Sequence, residues 1–209
     1  MQALYPALAT LAAYLIGSLS FAVVVSRFMG LADPRTYGSK NPGATNVLRS
    51  GNKAAAVVTL LLDALKGWLP VVLVQVYGER YGLGAGTVAL AGFAAFLGHL
   101  FPVFFRFRGG KGVATAAGVI LAFNPWLGLA SLATWVIIAF FFRYSSLASI
   151  VTAVFAPAYY LLGGGVAWEA PGTMVLALAA MAVLLVWRHA ENINRLIAGT
   201  ESKLGAKKK

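Results

Sequence analysis

Arg106-Phe107-Arg108-Gly109-Gly110-Lys111-Gly112-Val113-Ala114-Thr115 lies between two long apolar runs. Three glycines flank one lysine, so the backbone can turn tightly and direct N–H groups at an anion. A helix expected to start at Val113 would add its N-terminus to the same point, favouring phosphate or carboxylate. The spacing is not that of a Walker P-loop. Phe105 stands where the first glycine belongs, Gly112 replaces the hydroxyl residue, and no soluble strand precedes the turn. The plainer alternative is a short basic connection between transmembrane helices. On either reading, the apolar flanks make this turn part of a membrane bundle.

Composition agrees. The 209 residues are 60% hydrophobic and only 11% charged, with a mean hydropathy of +0.79. Soluble domains are nearer half apolar and a quarter charged. The expectation is therefore an all-α membrane protein forming one domain, 1–209, with no room for a separate soluble unit. There is no cysteine, which excludes disulfides and thiol chemistry. The net charge of +11 is spread between apolar spans, which fits membrane topology and anionic lipid or substrate better than nucleic acid. Met1–Thr10 lacks a basic n-region, so the first apolar run reads as an anchored helix and not a cleavable signal.

Working outward, the sequence predicts seven spans: about Leu4–Phe28, Ala54–Val76, Gly84–Phe105, Val113–Phe123, Trp126–Phe142, Leu147–Leu162 and Thr173–Trp187. The fourth is too short to cross alone if straight, and Asn124-Pro125 ends it, because proline disfavours helical geometry in the residue before it. Seven crossings place 15 of the 17 basic residues on one side, with Arg80 opposite and Lys66 within a span. The positive-inside rule then puts the N-terminus outside and the C-terminus in the cytoplasm. A re-entrant hairpin at Asn124-Pro125 would leave Arg143 on the same side.

Two other segments carry chemistry. Gly38-Ser39-Lys40-Asn41-Pro42-Gly43-Ala44-Thr45-Asn46-Val47-Leu48-Arg49 combines hydroxyls, amides and cations, and its Pro and Gly deny it a helix until about Thr45. Such residues bind phosphate and hydroxyl groups, with Arg as a bidentate clamp; the alternative is a solvated loop with a helix cap. Arg188-His189-Ala190-Glu191-Asn192-Ile193-Asn194-Arg195-Leu196 follows the last span. On a helix His189 and Asn192 share a face, with Arg188, Asn192 and Arg195 as a neighbouring stripe. This suits an acid/base or phosphate-donating histidine, or a surface helix contacting lipid headgroups. His99, among Leu97, Leu100 and Phe101, reads as a packing histidine. Asp63 and Lys66, three apart within a span, must pair or line a wet cavity. Two histidines without cysteine give no metal-ligand pattern, and no serine sits in a G-x-S-x-G elbow.

Together these segments resemble the acyl-phosphate-dependent glycerol-3-phosphate acyltransferases of bacterial membranes, the PlsY family. The resemblance is carried by Gly38-Ser39-x-Asn41-x-Gly43-Ala44-Thr45-Asn46-x-x-Arg49 and by Gly98-His99-x-x-Pro102 with Phe107-x-Gly109-Gly110-Lys111-Gly112-Val113-Ala114-Thr115. The third part is His189-x-x-Asn192-Ile193-x-Arg195-Leu196, with Gly199 and Glu201 following. Asp63-x-x-Lys66-Gly67 and Ser146-Leu147-Ala148-Ser149 match as well. The first helix departs from the family's Gly-Ser-x-Pro, having Ser20 in place of the proline.

The resemblance implies seven helices in the bacterial cytoplasmic (inner) membrane and an active site facing the cytoplasm. It implies acyl transfer from acyl phosphate to the 1-hydroxyl of glycerol 3-phosphate, giving lysophosphatidic acid and phosphate, the first step of phospholipid synthesis. A functional link to an acyl-phosphate synthase would go with it. Other glycerolipid acyltransferases use His-x-x-x-x-Asp as a base; here Phe104 follows His99 and Asn194 follows His189 at that spacing. Either His189 or a substrate phosphate oxygen would then take the hydroxyl proton, with substrate assistance preferred. The expected catalytic residues are Ser39, Lys111, His189 and Asn192. Asn41, Thr45, Asn46, Arg49, Gly109, Gly110, Gly112 and Ser149 are expected to bind substrate. No metal or cofactor is expected, since cations supply the electrostatics. A transporter for a phosphorylated solute would predict polar residues on both sides, and a lipid-binding scaffold would not need so much Asn, Ser and Thr.

Overall fold

Proline, glycine and small polar residues divide this apolar chain into helices. The computed structural model describes residues 4–205. Among them are α1 (Tyr5–Gly17), α2 (Phe21–Phe28), α3 (Ala44–Leu48), α4 (Lys53–Tyr77), α5 (Ala85–Leu100), α6 (Val113–Phe123), α7 (Pro125–Phe142), α8 (Ser145–Gly163), α9 (Gly172–Arg188) and α10 (Ala190–Ile197). Asn52 caps α4 by accepting from the Ala55 N–H at 2.9 Å. Asn124 caps α7, accepting from Leu127 at 3.0 Å, and Pro125 takes the first helical position. The same Asn124 ends α6, because the residue before proline is held extended (φ −157°, ψ 121°).

Between α1 and α2 the axis bends by 43° with no proline at the break, Gly17-Ser18-Leu19-Ser20. Ser18 turns its hydroxyl back onto the Tyr14 carbonyl at 2.8 Å. The Leu19 carbonyl that the break frees accepts from the Lys66 ammonium at 2.6 Å. A side chain inserted into the broken ladder thus accounts for the bend.

The helices pack most extensively as α1 on α5 and α4 on α6. Glycine lets the backbones touch. Gly67 rests on the Thr115 carbonyl, and Gly118 rests reciprocally on the Ala64 carbonyl, leaving no room for a methyl group at either. Phe96, Leu100, Val119, Leu127 and Tyr160 are buried between the helices, while Leu61, Leu132, Phe140, Phe141 and Leu176 point outward. An apolar surface on that scale suits lipid and not water.

Among the described residues, four helices are long and apolar enough to cross a membrane, or up to six if each bent pair is one span. The expected seventh, α6, has 11 residues, about 16 Å of helix against about 30 Å of hydrocarbon. The seven-span expectation is therefore met only to six by length. α6 descends into the bundle, turns at Asn124-Pro125, and α7 returns to the end from which α6 started. That end also gathers the loop before α4, the glycine turn and α10. The opposite end carries plain connections, Gly78–Tyr81 and the turn after Gly163.

Candidate active site

The glycine turn is built on the end of α5. Pro102 stops that helix, a short 3-10 turn follows (Val103–Phe105), and Arg106 and Phe107 take left-handed φ of 54° and 59°. Hydrogen bonds from Phe107 N–H to Pro102 O (2.9 Å) and from Gly110 N–H to His99 O (3.1 Å) close the turn. Gly109 is pressed onto the His99 and Leu100 carbonyls, and Gly110 is wedged between the His99 ring and the Pro42 carbonyl. Gly112 has φ +83° and precedes α6 directly. The expected anion nest is thus smaller than four amides, since Gly110 spends its N–H inside the protein. What Gly109 and Gly110 supply is closeness.

Their carbonyls are used too. The Arg188 guanidinium, at the end of α9, donates to Gly109 O at 2.8 Å and to Gly110 O at 3.0 Å and 3.1 Å, and lies over Phe101. Two distant motifs are thereby locked together. Above this lock Lys111 donates to the side-chain oxygen of Asn192 on α10. Asn192 in turn donates to Glu201 at 2.6 Å. The same carboxylate accepts from Ser146 on α8 at 2.7 Å and from Arg195 at 2.7 Å. Burial pushes the Glu201 carboxyl up, but these hydrogen bonds outweigh it and hold it below its ordinary value. Burial lowers Lys111 to about 8, and nearby Arg195 adds to the shift.

His189 closes the site at the junction of α9 and α10, where the axis turns by 57°. Its Nδ1 lies 2.8 Å from the Leu185 carbonyl. A carbonyl only accepts, so Nδ1 carries the proton and Nε2 keeps its lone pair. Burial lowers its pKa to about 4. The imidazole is therefore neutral at physiological pH and only a weak base.

The loop before α4 forms the remaining wall. Asn46 is its internal brace. It donates to Pro34 O (2.7 Å) and Tyr37 O (3.2 Å) and accepts from the Ser39 N–H (3.0 Å). Arg49 reaches across to the Ser202 hydroxyl at 2.9 Å. Ser39 and Thr45 are exposed and Asn41 half-buried. Lys111, His189, Asn192, Gly109, Gly110, Gly112 and Arg49 thus stand together, with Ser39, Asn41 and Thr45 on the adjoining loop. Ser149 stands apart: it accepts from the Trp135 indole at 3.1 Å and donates to Ser145 O at 2.8 Å. Its neighbour Ser146 reaches the cluster instead. Sequence reasoning singled out neither Ser146, Glu201, Arg188 nor Arg195 as site residues, although the stripe of Arg188, Asn192 and Arg195 was visible. Among the described residues no group of three or more His, Cys, Asp or Glu could hold a metal ion.

A family model described as glycerol-3-phosphate acyltransferase matches residues 7–199. A protein of Albidiferax ferrireducens called glycerol-3-phosphate acyltransferase is 67% identical over 207 residues, covering 99% of this chain and 92% of its own. One from Bordetella petrii with the same name is 66% identical over 197 residues, 94% of this chain and 92% of its own. Two crystal structures of PlsY, an integral membrane glycerol 3-phosphate acyltransferase, superpose closely. Its glycerol 3-phosphate form has a TM-score of 0.87 at 38% identity, covering 96% of each chain. Its lysophosphatidic acid form has 0.85 at 37% identity, covering 96% of this chain and 95% of that one.

Proposed function

This chain belongs to the glycerol-3-phosphate acyltransferase (PlsY) family, and from that premise we propose that it acylates the 1-hydroxyl of glycerol 3-phosphate with acyl phosphate as donor. The products are lysophosphatidic acid and inorganic phosphate. The observation that carries this reading is the Lys111–Asn192–Glu201 chain, braced by Arg188 on the glycine turn. Two segments far apart in sequence meet there around the Lys111 ammonium, and Arg49 from a third reaches the same place through Ser202, as a reaction with two phosphorylated substrates requires. The apolar flanks of the bundle suit the fatty chain of the donor.

The hydroxyl oxygen attacks the acyl carbonyl carbon and forms a tetrahedral intermediate. The bond from that carbon to the phosphate oxygen then breaks and phosphate leaves. Lys111 and the turn's remaining amides offset the charge that develops on the oxygens. The hydroxyl proton passes to a substrate phosphate oxygen. His189 and Asn192 position the acceptor, Ser39, Asn41, Thr45 and Arg49 orient the phosphates, and Asn46 holds the shape of the loop that carries them. Acyl phosphate is activated enough that a weak base suffices.

Counting α6 as a crossing with its preceding turn gives seven passes, with the N-terminus outside and this site at the cytoplasmic face, as the distribution of basic residues favours. One experiment tests donor and orientation together. In sealed inside-out vesicles, acyl phosphate and glycerol 3-phosphate added from the bath should yield lysophosphatidate, while right-side-out vesicles should be silent until opened. Acyl-CoA in place of acyl phosphate should give no turnover. Equal use of acyl-CoA would refute the donor assignment, and turnover in intact right-side-out vesicles would reverse the orientation.

The pH profile follows from the two shifted groups. Lys111 is charged below about 8 and loses its charge above it, so kcat/KM should fall above about pH 8. His189, lowered to about 4, is neutral throughout the working range and contributes no limb. A limb near pH 6 arising from the substrate phosphate itself should persist in His189→Asn. If that limb is present in wild type and vanishes in His189→Asn, histidine is the base and substrate assistance is wrong.

A further inference from the structure

A second polar cluster lies beneath the glycine turn, inside the bundle, and the acyl-transfer step makes no use of it. Asp63 and Lys66 on α4, His99 on α5 and Thr115 on α6 are all buried, none more than 7% exposed. Lys66 Nζ lies 2.7 Å from Asp63 Oδ1 and donates to the Leu19 carbonyl at the α1–α2 break. His99 Nδ1 lies 3.1 Å from the Thr115 hydroxyl and 3.7 Å from Asp63 Oδ1. The Thr115 hydroxyl takes the Nδ1 hydrogen bond, and the Asp63 carboxylate, facing the same nitrogen from beyond hydrogen-bond distance, favours the proton there and with it the ring's orientation. The other edge of the ring, Nε2, abuts Gly110, where a β-carbon would overlap it. The His99 carbonyl accepts the Gly110 N–H as well. One histidine therefore holds Gly110 by both its ring and its backbone, directly before Lys111.

A histidine that merely fills space needs volume and one partner. This one also faces a buried ion pair, which is a poor device for stability, because desolvating two charges offsets most of their attraction. We propose that Asp63 and Lys66 are positioning residues for acyl transfer. Lys66 anchors Asp63 across the α1–α2 break, Asp63 orients the His99 ring, and the ring sets the height of the glycine turn and with it the Lys111 ammonium. Small displacements of a catalytic group are costly, so the supporting groups matter although none touches substrate. The inference rests on the acyl-transfer reading of Lys111.

The test replaces the pair by apolar residues of similar volume, Asp63→Leu with Lys66→Met, and compares it with Asp63→Asn, which keeps an oxygen opposite His99. Turnover and melting temperature are measured for each full-length protein in detergent, with wild type alongside. The double variant is expected to melt within a few degrees of wild type. Its kcat/KM should be at least tenfold lower, and its alkaline limb, owed to Lys111, should be displaced. Asp63→Asn leaves the Lys66 ammonium without its carboxylate and should melt clearly below wild type, yet, assayed below its melting transition, lose less than threefold in kcat/KM. Wild-type kcat/KM and an unmoved limb in a stable double variant would reduce the pair to a structural one. So would activity that falls only in step with melting temperature, in either variant, or equal losses in both. Failure of wild type to turn over acyl phosphate would instead strike the proposed function itself.

Discussion

Replacing Lys111 with alanine should lower kcat/KM by two to three decades while leaving the protein folded. Lys111 stands where the glycine turn meets the start of α6 and is half-buried, with Asn192 as its side-chain partner. A charge-assisted hydrogen bond at such a site contributes about 1.5–3 kcal/mol, one to two decades. Where that contact stabilises charge developing in the transition state, a single donor is worth more, on the order of 10²–10³ in well-studied acyl-transfer sites, and that range sets the expectation. Its removal leaves Asn192 tethered to Glu201, so the scaffold should stand. Lys111→Arg should rescue little, because a planar fork cannot take the place of a compact ammonium already tied to one amide oxygen. Steady-state kinetics on purified protein, with melting temperature as the folding control, decide the matter. A loss below tenfold in Lys111→Ala would remove this residue from the catalytic centre.

Gly109→Ala should be nearly as damaging, for a steric reason. A β-carbon at Gly109 would overlap the His99 carbonyl and stand 2.5 Å from Leu100 O and 2.6 Å from the Pro102 ring. Two of those three neighbours are backbone atoms at a buried helix end and cannot swing aside. The turn must lift instead, which also pulls the Gly109 carbonyl from Arg188 and displaces Lys111. A fall in kcat/KM of about two decades is expected, since misplacing a reacting group by about an ångström costs about 10²-fold. Gly84→Ala is the control. An added methyl there meets nothing within 4 Å, and activity should stay within a factor of two. Comparable losses in both would mean that glycine content and not the close approach matters.

The partners of each side chain were not legible in one dimension. Ser146 and Ser149 are three residues apart on α8 and look equivalent as sequence. Only the packing shows that Ser149 turns to Trp135 on α7 while Ser146 meets Glu201, 55 positions further along the chain. Gly110 reads as an amide donor for an anion, yet the fold spends that N–H on His99. His99 reads as a packing histidine, and its link to Asp63 requires α4 and α5 to be brought together.

The membrane class, the helix boundaries at Val113, Asn124-Pro125 and Gly163, and the grouping of polar motifs at one end were all determined by the sequence alone. Hydropathy, proline geometry and glycine turns act over a few residues, so their signals survive without a partner. The broken first helix belongs to tertiary structure, since the bend at Ser18–Ser20 is completed by Lys66 from another helix. So does the span count, because α6 is too short to cross unaided and its role depends on the turn before it and α7 after it. The candidate site is tertiary too. Lys111, Ser146 and the Asn192–Glu201 stretch come from three separated places, and a hydrogen bond closing over 81 residues depends on where packing leaves two backbones.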